Sequence, residues 1–132
     1  RPAVVVDGAH NRDSARRLAA ALTDYFPGQR VILLFGASAD KDIAGMFAEL
    51  LPRVERLIVT QAVHPRAAEP EQLLTLAAAQ DAAKPAEARA PAAAALARAL
   101  ELAGPDDVVL ACGSLFVAAE VRAAQAVAAA SP

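Results

Sequence analysis

An aspartate, a histidine and an asparagine follow the first apolar run of this sequence. Asp7, His10 and Asn11 stand in the stretch DGAHN, directly after the valines of residues 4–6. A packed strand does not need polar groups at its tip, so these side chains are candidates for a ligand site. The carboxylate of Asp7 suits ribose hydroxyls or a metal-bound water, and His10 suits a phosphate or a carboxylate. The structural alternative is that Asp7 and Asn11 only cap a helix that starts near Arg12.

Three further polar clusters also follow apolar runs: GASADKD at 36–42, TQAVHPRA at 60–67 and CGSLF at 112–116. Lys41 could neutralise a phosphate, or it could be a solvated surface charge. Arg66 offers forked hydrogen bonds to a carboxylate or phosphate, although a loop arginine is usually exposed and idle. Gly113 and Ser114 end a strand and open a helix, where free N–H groups and the helix dipole favour an anion. A plain serine N-cap explains the same residues equally well.

Apolar runs and helical patterns alternate along the chain. Short continuous apolar runs predict strands, and apolar residues at three-four spacing predict helices. The predicted strands are 3–6, 30–36, 55–61, 85–89 and 106–112, and the predicted helices are 12–26, 40–51, 70–79, 91–103 and 113–130. Asp40 is the predicted cap of the second helix. The fourth strand has the weakest signal, because residues 80–91 contain no β-branched residue.

The strands are continuous apolar runs, as in sheets that are covered on both faces. Alternating strands and helices with short connections indicate right-handed crossovers and a mostly parallel sheet. The sequence therefore predicts a three-layer, Rossmann-like α/β domain in which five to six strands are flanked by helices. Ligands bind such sheets outside the carboxyl ends of the strands. The four polar clusters are therefore expected to converge at that edge, although they are far apart in the sequence.

Length and composition limit the classes of function. With 132 residues the chain is expected to form one domain, residues 1–132. A net charge of −2 argues against a nucleic-acid-binding face and a polybasic membrane anchor, and no apolar stretch is long enough for a membrane span. The single cysteine fits a reducing compartment, so we expect a cytoplasmic protein. The missing initiator Met and the immediate entry into a strand suggest a fragment of a longer protein.

Several other chemistries fit the sequence badly. No GxGxxG follows the first strand and no GxxxxGK[ST] occurs, so neither a dinucleotide site nor a P-loop is predicted. No serine stands in a GxSxG elbow. Two histidines and one cysteine at wide spacing do not make a zinc site, and we expect no metal ligands within this chain.

The four clusters together resemble the carboxy-terminal domain of the folylpolyglutamate synthase/dihydrofolate synthase family, within the Mur ligase superfamily. The resemblance rests on DGAHN, LFGASADKD, VTQAVHPRAAEPEQL and VVLACGSLFVAAEVR, in that order, and spans nearly the whole chain. It implies an ATP-dependent amide ligase. ATP phosphorylates a carboxylate of pteroate or folate, and the amine of L-glutamate then attacks the acyl phosphate.

The resemblance also implies a partner domain and roles for individual residues. The P-loop, the Mg²⁺ ligands and most folate contacts are expected in an amino-terminal ATPase domain of the same monomeric protein, so this fragment alone is expected to be inactive. The implied site residues are His10 and Asp7 for catalysis, Asp7, His10 and Asn11 for the nucleotide, and His10, Ser114 and Arg66 for glutamate. Lys41 stays a possible phosphate contact because of its charge.

Two alternatives stay open on the sequence. One is a Mur-type ligase domain with another acceptor or amino acid. The other is a non-catalytic α/β module that binds an anion at a helix N-terminus.

The family usually has proline after the HN pair, whereas this chain has Arg12. Proline would fix the first helical turn, so Arg12 either loosens that turn or adds a cation near the phosphates.

Overall fold

Strands alternate with helices throughout residues 2–130, the part of the chain that the computed structural model describes. In chain order the elements are β1 (Ala3–Val6), α1 (Arg12–Tyr25), β2 (Val31–Phe35), α2 (Ile43–Leu50), a 3₁₀ turn (Leu51–Arg53), β3 (Arg56–Val59), α3 (Pro70–Gln80), β4 (Ala86–Ala88), α4 (Ala92–Leu102), β5 (Val108–Cys112) and α5 (Leu115–Ala130). Every predicted strand and helix is present, with ends shifted by a few residues. No helix within residues 2–130 has the length and apolar character to cross a membrane.

The strands of residues 2–130 form one parallel sheet in the order β1-β5-β2-β3-β4. This arrangement confirms the predicted α/β class. The last residues of the strands are in register: Val6 pairs with Ala111, and Phe35 pairs with both Cys112 and Val59. The strands therefore end together at one edge. Because β5 lies between β1 and β2, the loop after β5 is flanked by the loops after those two strands.

Alternate residues of the central strands contribute to two separate cores. Leu33 and Phe35 pack against α1, α2 and α3, and the ring centroids of Phe35 and Phe47 lie 4.7 Å apart. Ile32 and Leu34 pack against α4 and α5 on the opposite face. Because β2 and β5 are buried on both faces, they are unbroken apolar runs in the sequence.

The strand with the weakest sequence signal, β4, is confirmed at the edge of the sheet. It pairs only with β3, beside a hydrogen bond of 2.9 Å that Leu57 N–H donates to the Pro85 carbonyl. Glu87 accepts from Arg98 Nε at 3.2 Å and forms an ion pair with Arg89 at 2.9 Å. An edge strand pairs on one side only, so an alanine-rich segment suffices when charged side chains tie it to α4.

The predicted cap of α2 is wrong. Asp42, not Asp40, caps this helix, and its Oδ1 accepts the Gly45 N–H at 2.9 Å. Glycine at 45 gives room for this contact, because a Cβ atom there would lie against the Asp42 carboxylate. Asp40 and Lys41 consequently stay in the loop before the helix.

Candidate functional site

Backbone hydrogen bonds tie the loop after β5 to its two neighbours. The Gly113 N–H donates to the Ala9 carbonyl at 2.9 Å, and the Gly36 N–H donates to the Cys112 carbonyl at 3.4 Å. The first and the last polar clusters are thereby held together, although they lie at opposite ends of the chain.

The loops after β2 and β3 are joined in the same way. Ser38 and Ala67 form an isolated antiparallel bridge. The Ala39 N–H donates to the Arg66 carbonyl at 2.8 Å. The second and third polar clusters therefore form one platform at the same edge of the sheet, as the sequence predicted.

A cavity of about 190 Å³ opens between these loops, and we call it the loop cavity. Four of the six predicted site residues line it, one from each polar cluster: His10, Lys41, Arg66 and Ser114. The full lining is His10, Ser38, Asp40, Lys41, His64, Arg66, Gly113, Ser114, Leu115 and Phe116. Two cationic side chains and one carboxylate contribute to this lining, so the loop cavity favours an anionic ligand.

The two histidines of the loop cavity present opposite hydrogen-bonding groups. His10 Nδ1 lies 2.9 Å from the Gly8 carbonyl oxygen. A carbonyl oxygen only accepts, so Nδ1 carries the proton and Nε2 of the neutral ring carries the lone pair. His64 Nδ1 instead accepts the Arg66 backbone N–H at 3.2 Å, which places the proton of the neutral ring on Nε2. One imidazole is therefore an acceptor and the other a donor.

Ser114 and Asn11 both cap helices. Ser114 Oγ accepts the Val117 N–H at 3.0 Å at the start of α5. Asn11 Oδ1 accepts the Ser14 N–H at 2.8 Å, and Ser14 Oγ accepts the Asn11 N–H at 3.1 Å, which completes a capping box on α1. Asp7 does not cap α1, but the capping contacts of Asn11 and Ser114 are realised. They use acceptor oxygens, so the Ser114 hydroxyl and the Asn11 amide keep donor groups for a ligand.

Asp7 and Asn11 lie outside the loop cavity. They line a neighbouring hollow of about 500 Å³ along α1, which we call the α1 cavity and which also includes Arg17. One Asp7 carboxylate oxygen accepts the Ala9 N–H at 2.8 Å. His10 lines both cavities. The predicted site residues therefore divide between two adjacent cavities that share His10.

Sequence reasoning missed the apolar and aromatic part of the loop cavity. The rings of His64 and Phe116 stack with centroids 4.2 Å apart and planes inclined by 30°, and Leu115 lies in the same lining. The signal was present in CGSLF, where two large apolar residues directly follow the cap of α5.

A free cysteine lies below this edge, and it has a packing role. Burial raises the pKa of the Cys112 thiol above its ordinary value of 9.0, and the negative charge of Asp7 raises it further. A buried, protonated thiol is inert as a nucleophile. Among the described residues 2–130, no three His, Cys, Asp or Glu side chains are grouped so as to hold a metal ion.

The fold and the loop cavity together define a class of protein. It is a parallel α/β domain whose strand-end loops enclose a small cavity with an excess of positive charge, at the edge where ligands bind such sheets. Residues 1–115 match the family described as Mur ligase, glutamate ligase domain. The chain belongs to that family.

Curated relatives come from both the folate and the peptidoglycan branches. A probable bifunctional folylpolyglutamate synthase/dihydropteroate synthase of Haloferax volcanii is 41% identical over 122 residues, which are 92% of this chain and 14% of that protein. The UDP-N-acetylmuramoyl-L-alanyl-D-glutamate–2,6-diaminopimelate ligase of Synechococcus elongatus is 33% identical over 115 residues, 85% of this chain and 23% of that protein. The chain thus spans less than a quarter of the length of either relative.

Solved structures of the folate branch share the fold. E. coli FolC in complex with DHPP and ADP superposes with a TM-score of 0.87 at 30% identity, covering 96% of this chain and 29% of that one. A bifunctional folylpolyglutamate synthase/dihydrofolate synthase with Mn, AMPPNP and L-glutamate bound gives a TM-score of 0.83 at 33% identity, covering 95% and 29%.

Proposed function

We propose that residues 1–132 are the single carboxy-terminal domain of an ATP-dependent ligase that joins L-glutamate to pteroate or a folate through an acyl phosphate. The observation that carries the proposal is the loop cavity, to which four separate loops contribute His10, Lys41, Arg66 and Ser114. The similarity to folate-branch ligases supports the same reading, including one solved with a nucleotide analogue, Mn and L-glutamate.

The loop cavity is the proposed glutamate site. Its volume of about 190 Å³ suits an amino acid better than a nucleotide. Arg66 can hold one carboxylate in a forked geometry, and the Ser114 hydroxyl can donate to the other at the N-terminus of α5. Lys41 is the proposed contact for a phosphate oxygen at the mouth of this cavity.

The α1 cavity is the proposed nucleotide-facing surface. It is larger, about 500 Å³, and contains the Asp7 carboxylate, which can accept from ribose hydroxyls. Asn11 lines the same cavity, and its amide group can donate to the nucleotide. In this arrangement Asp7 and Asn11 orient the nucleotide, while His10 stands where the nucleotide and glutamate meet.

His10 is proposed to take a proton from the attacking amine. Its Nδ1–H is held by the Gly8 carbonyl at 2.9 Å, which leaves the Nε2 lone pair for the ammonium group of glutamate. The deprotonated amine then attacks the acyl phosphate, the new C–N bond forms and phosphate leaves. Closure of this domain over the site would exclude water that otherwise hydrolyses the acyl phosphate.

The remaining parts of the reaction are proposed for an amino-terminal ATPase domain of the same monomeric, cytoplasmic protein. The P-loop that cradles ATP is absent from these 132 residues. The Mg²⁺ that accompanies ATP is proposed to take its protein ligands from that amino-terminal domain.

The test is an ADP-release assay on the full-length protein that contains this domain. We expect turnover with ATP, L-glutamate and either dihydropteroate or a reduced folate. His10→Ala should lower kcat by about 10²–10⁴-fold, as expected for loss of a proton acceptor. The free energy of unfolding should change by less than about 0.5 kcal/mol, because the His10 side chain is exposed. Tyr25→Ala, on an exposed aromatic at the far end of α1, is the matched control.

A second candidate is a Mur-type ligase with another acceptor or amino acid. The 33% identity to a diaminopimelate-adding ligase favours it. Turnover with a muramyl peptide precursor, and none with folates, would select this candidate. A non-catalytic anion-binding module would instead leave the activity of the full-length protein unchanged when His10→Ala and Ser114→Ala are combined.

A further inference from the structure

Large apolar side chains are exposed at the rim of a cavity whose other walls are polar. Leu115 is 67% exposed and Phe116 is 48% exposed, and both line the loop cavity. Val63, in the loop after β3, is 86% exposed. Leu115 and Phe116 are adjacent in the sequence, and two exposed apolar side chains at the edge of a polar cavity suit contact with a ligand or a partner surface.

Packing against the rest of the domain leaves the side chains of Leu115 and Phe116 partly exposed. The positions of α5 that face the sheet are Val117, Ala118 and Val121, which are fully buried. Leu115 and Phe116 precede them at the first turn and remain open to solvent. The Phe116 ring is nevertheless fixed, because it stacks on His64 with centroids 4.2 Å apart.

The geometry points to an aryl ring as the occupant: we propose that Phe116 and Leu115 contact an acceptor whose reacting carboxylate is bonded directly to an aromatic ring, as in pteroate. The inference rests on the proposed function. The amine nitrogen and the carboxyl carbon must approach to about 3–3.5 Å for attack. When the amino acid fills the loop cavity, the ring of an aryl carboxylate is one bond beyond that carbon, and so it lies at the rim.

An acceptor that ends in a glutamate side chain behaves differently. Its reacting carboxylate sits on an aliphatic chain, so its aromatic ring lies several bonds further from the loop cavity. Stacking with Phe116 therefore distinguishes the two kinds of acceptor. Offset or tilted aromatic pairs of this type are favourable beyond their buried area.

The experiment measures steady-state kinetics of the full-length protein with two acceptors, dihydropteroate and a pteroylglutamate, and with glutamate varied separately. Phe116→Ala should raise the KM for dihydropteroate about tenfold, which corresponds to about 1.4 kcal/mol. The KM values for the pteroylglutamate and for glutamate should change by less than twofold. Phe116→Tyr, which keeps the ring, should restore the wild-type KM, and Tyr25→Ala should leave all three values unchanged.

Several results would overturn the inference. An equal rise in the KM values for both acceptors would show that Phe116 contacts the ATPase domain during closure. A raised KM for glutamate would place Phe116 in the amino-acid site. An unchanged KM for dihydropteroate would show that the ring makes no contact. Wild-type turnover of pteroylglutamates without any turnover of dihydropteroate would also refute it, whereas no turnover of either acceptor would refute the proposed function itself.

Discussion

Replacing Gly113 with alanine tests how the strand-end loops are brought together. Gly113 has a φ of +114°, in a region that L side chains rarely adopt. A Cβ atom there would lie closer than 3.0 Å to the Gly36 carbonyl oxygen and at 3.0 Å from a ring carbon of Phe35. The nearest obstacle is backbone, which cannot rotate away as the end of a side chain can.

Two effects add to the cost of this substitution. A non-glycine residue with a left-handed backbone costs about 1–2 kcal/mol, and forcing extra volume into a packed region costs about 1–3 kcal/mol. Gly28 is a matched control, because its φ is +74° but no atom lies within 4 Å of a Cβ built on it. Gly28→Ala should therefore cost only the backbone contribution, and Gly113→Ala should cost about 1–3 kcal/mol more.

Urea unfolding followed by far-UV circular dichroism measures this difference, since the chain has no Trp and a single Tyr. With a slope of about 2 kcal/mol/M, the midpoint of Gly113→Ala should lie about 0.5–1.5 M below that of Gly28→Ala. Equal midpoints would show that the loop after β5 relaxes around a methyl group. The close approach of Gly113 to Gly36 would then not be what fixes the loop cavity.

Three further predictions concern stability. Asn11→Ala should lower the free energy of unfolding by about 1 kcal/mol, because it removes the side chain that accepts the Ser14 N–H at 2.8 Å. Thr60→Val should raise it by about 1 kcal/mol, because Thr60 Oγ1 is buried without a hydrogen-bond partner among the described residues. Burial raises the pKa of Cys112, so the unfolded chain releases the thiol proton first as the pH rises. Stability is then retained below about pH 9 and falls above it, by up to about 1.4 kcal/mol per pH unit.

The same urea titrations check all three. An unchanged midpoint for Asn11→Ala would mean that water replaces the cap without loss. A destabilised Thr60→Val would reveal a partner for the hydroxyl. For the pH dependence, Cys112→Ala is the control: if the alkaline fall is equally steep without the thiol, other groups cause it.

Local patterns were enough to predict the elements of this fold. Continuous apolar runs predicted β2 and β5, because both faces of these strands are covered and every residue faces a core. Even the alanine-rich β4 was expected from the alternation of elements. The cap of α2 was predicted at Asp40 and lies at Asp42, because both aspartates can serve as an N-cap and the contact with Gly45 decides between them.

The candidate site was predicted only in part. The topology rule for parallel sheets brought His10, Lys41, Arg66 and Ser114 to one edge, and the structure places all four around the loop cavity. That rule did not predict that Asp7 would lie in the separate α1 cavity. The stacked pair of His64 and Phe116 was not predicted either. Their loops meet because β3 and β5 lie on the two sides of β2, and local sequence patterns do not fix that strand order.

The sequence by itself determined the α/β class, the order of elements and the four clusters that carry polar groups, because these follow from local periodicity and from short connections. The tertiary structure alone decided which clusters share a cavity and which apolar side chains stay exposed. Those features depend on strand order, on backbone contacts between distant loops and on the left-handed turn at Gly113, none of which is encoded in neighbouring residues.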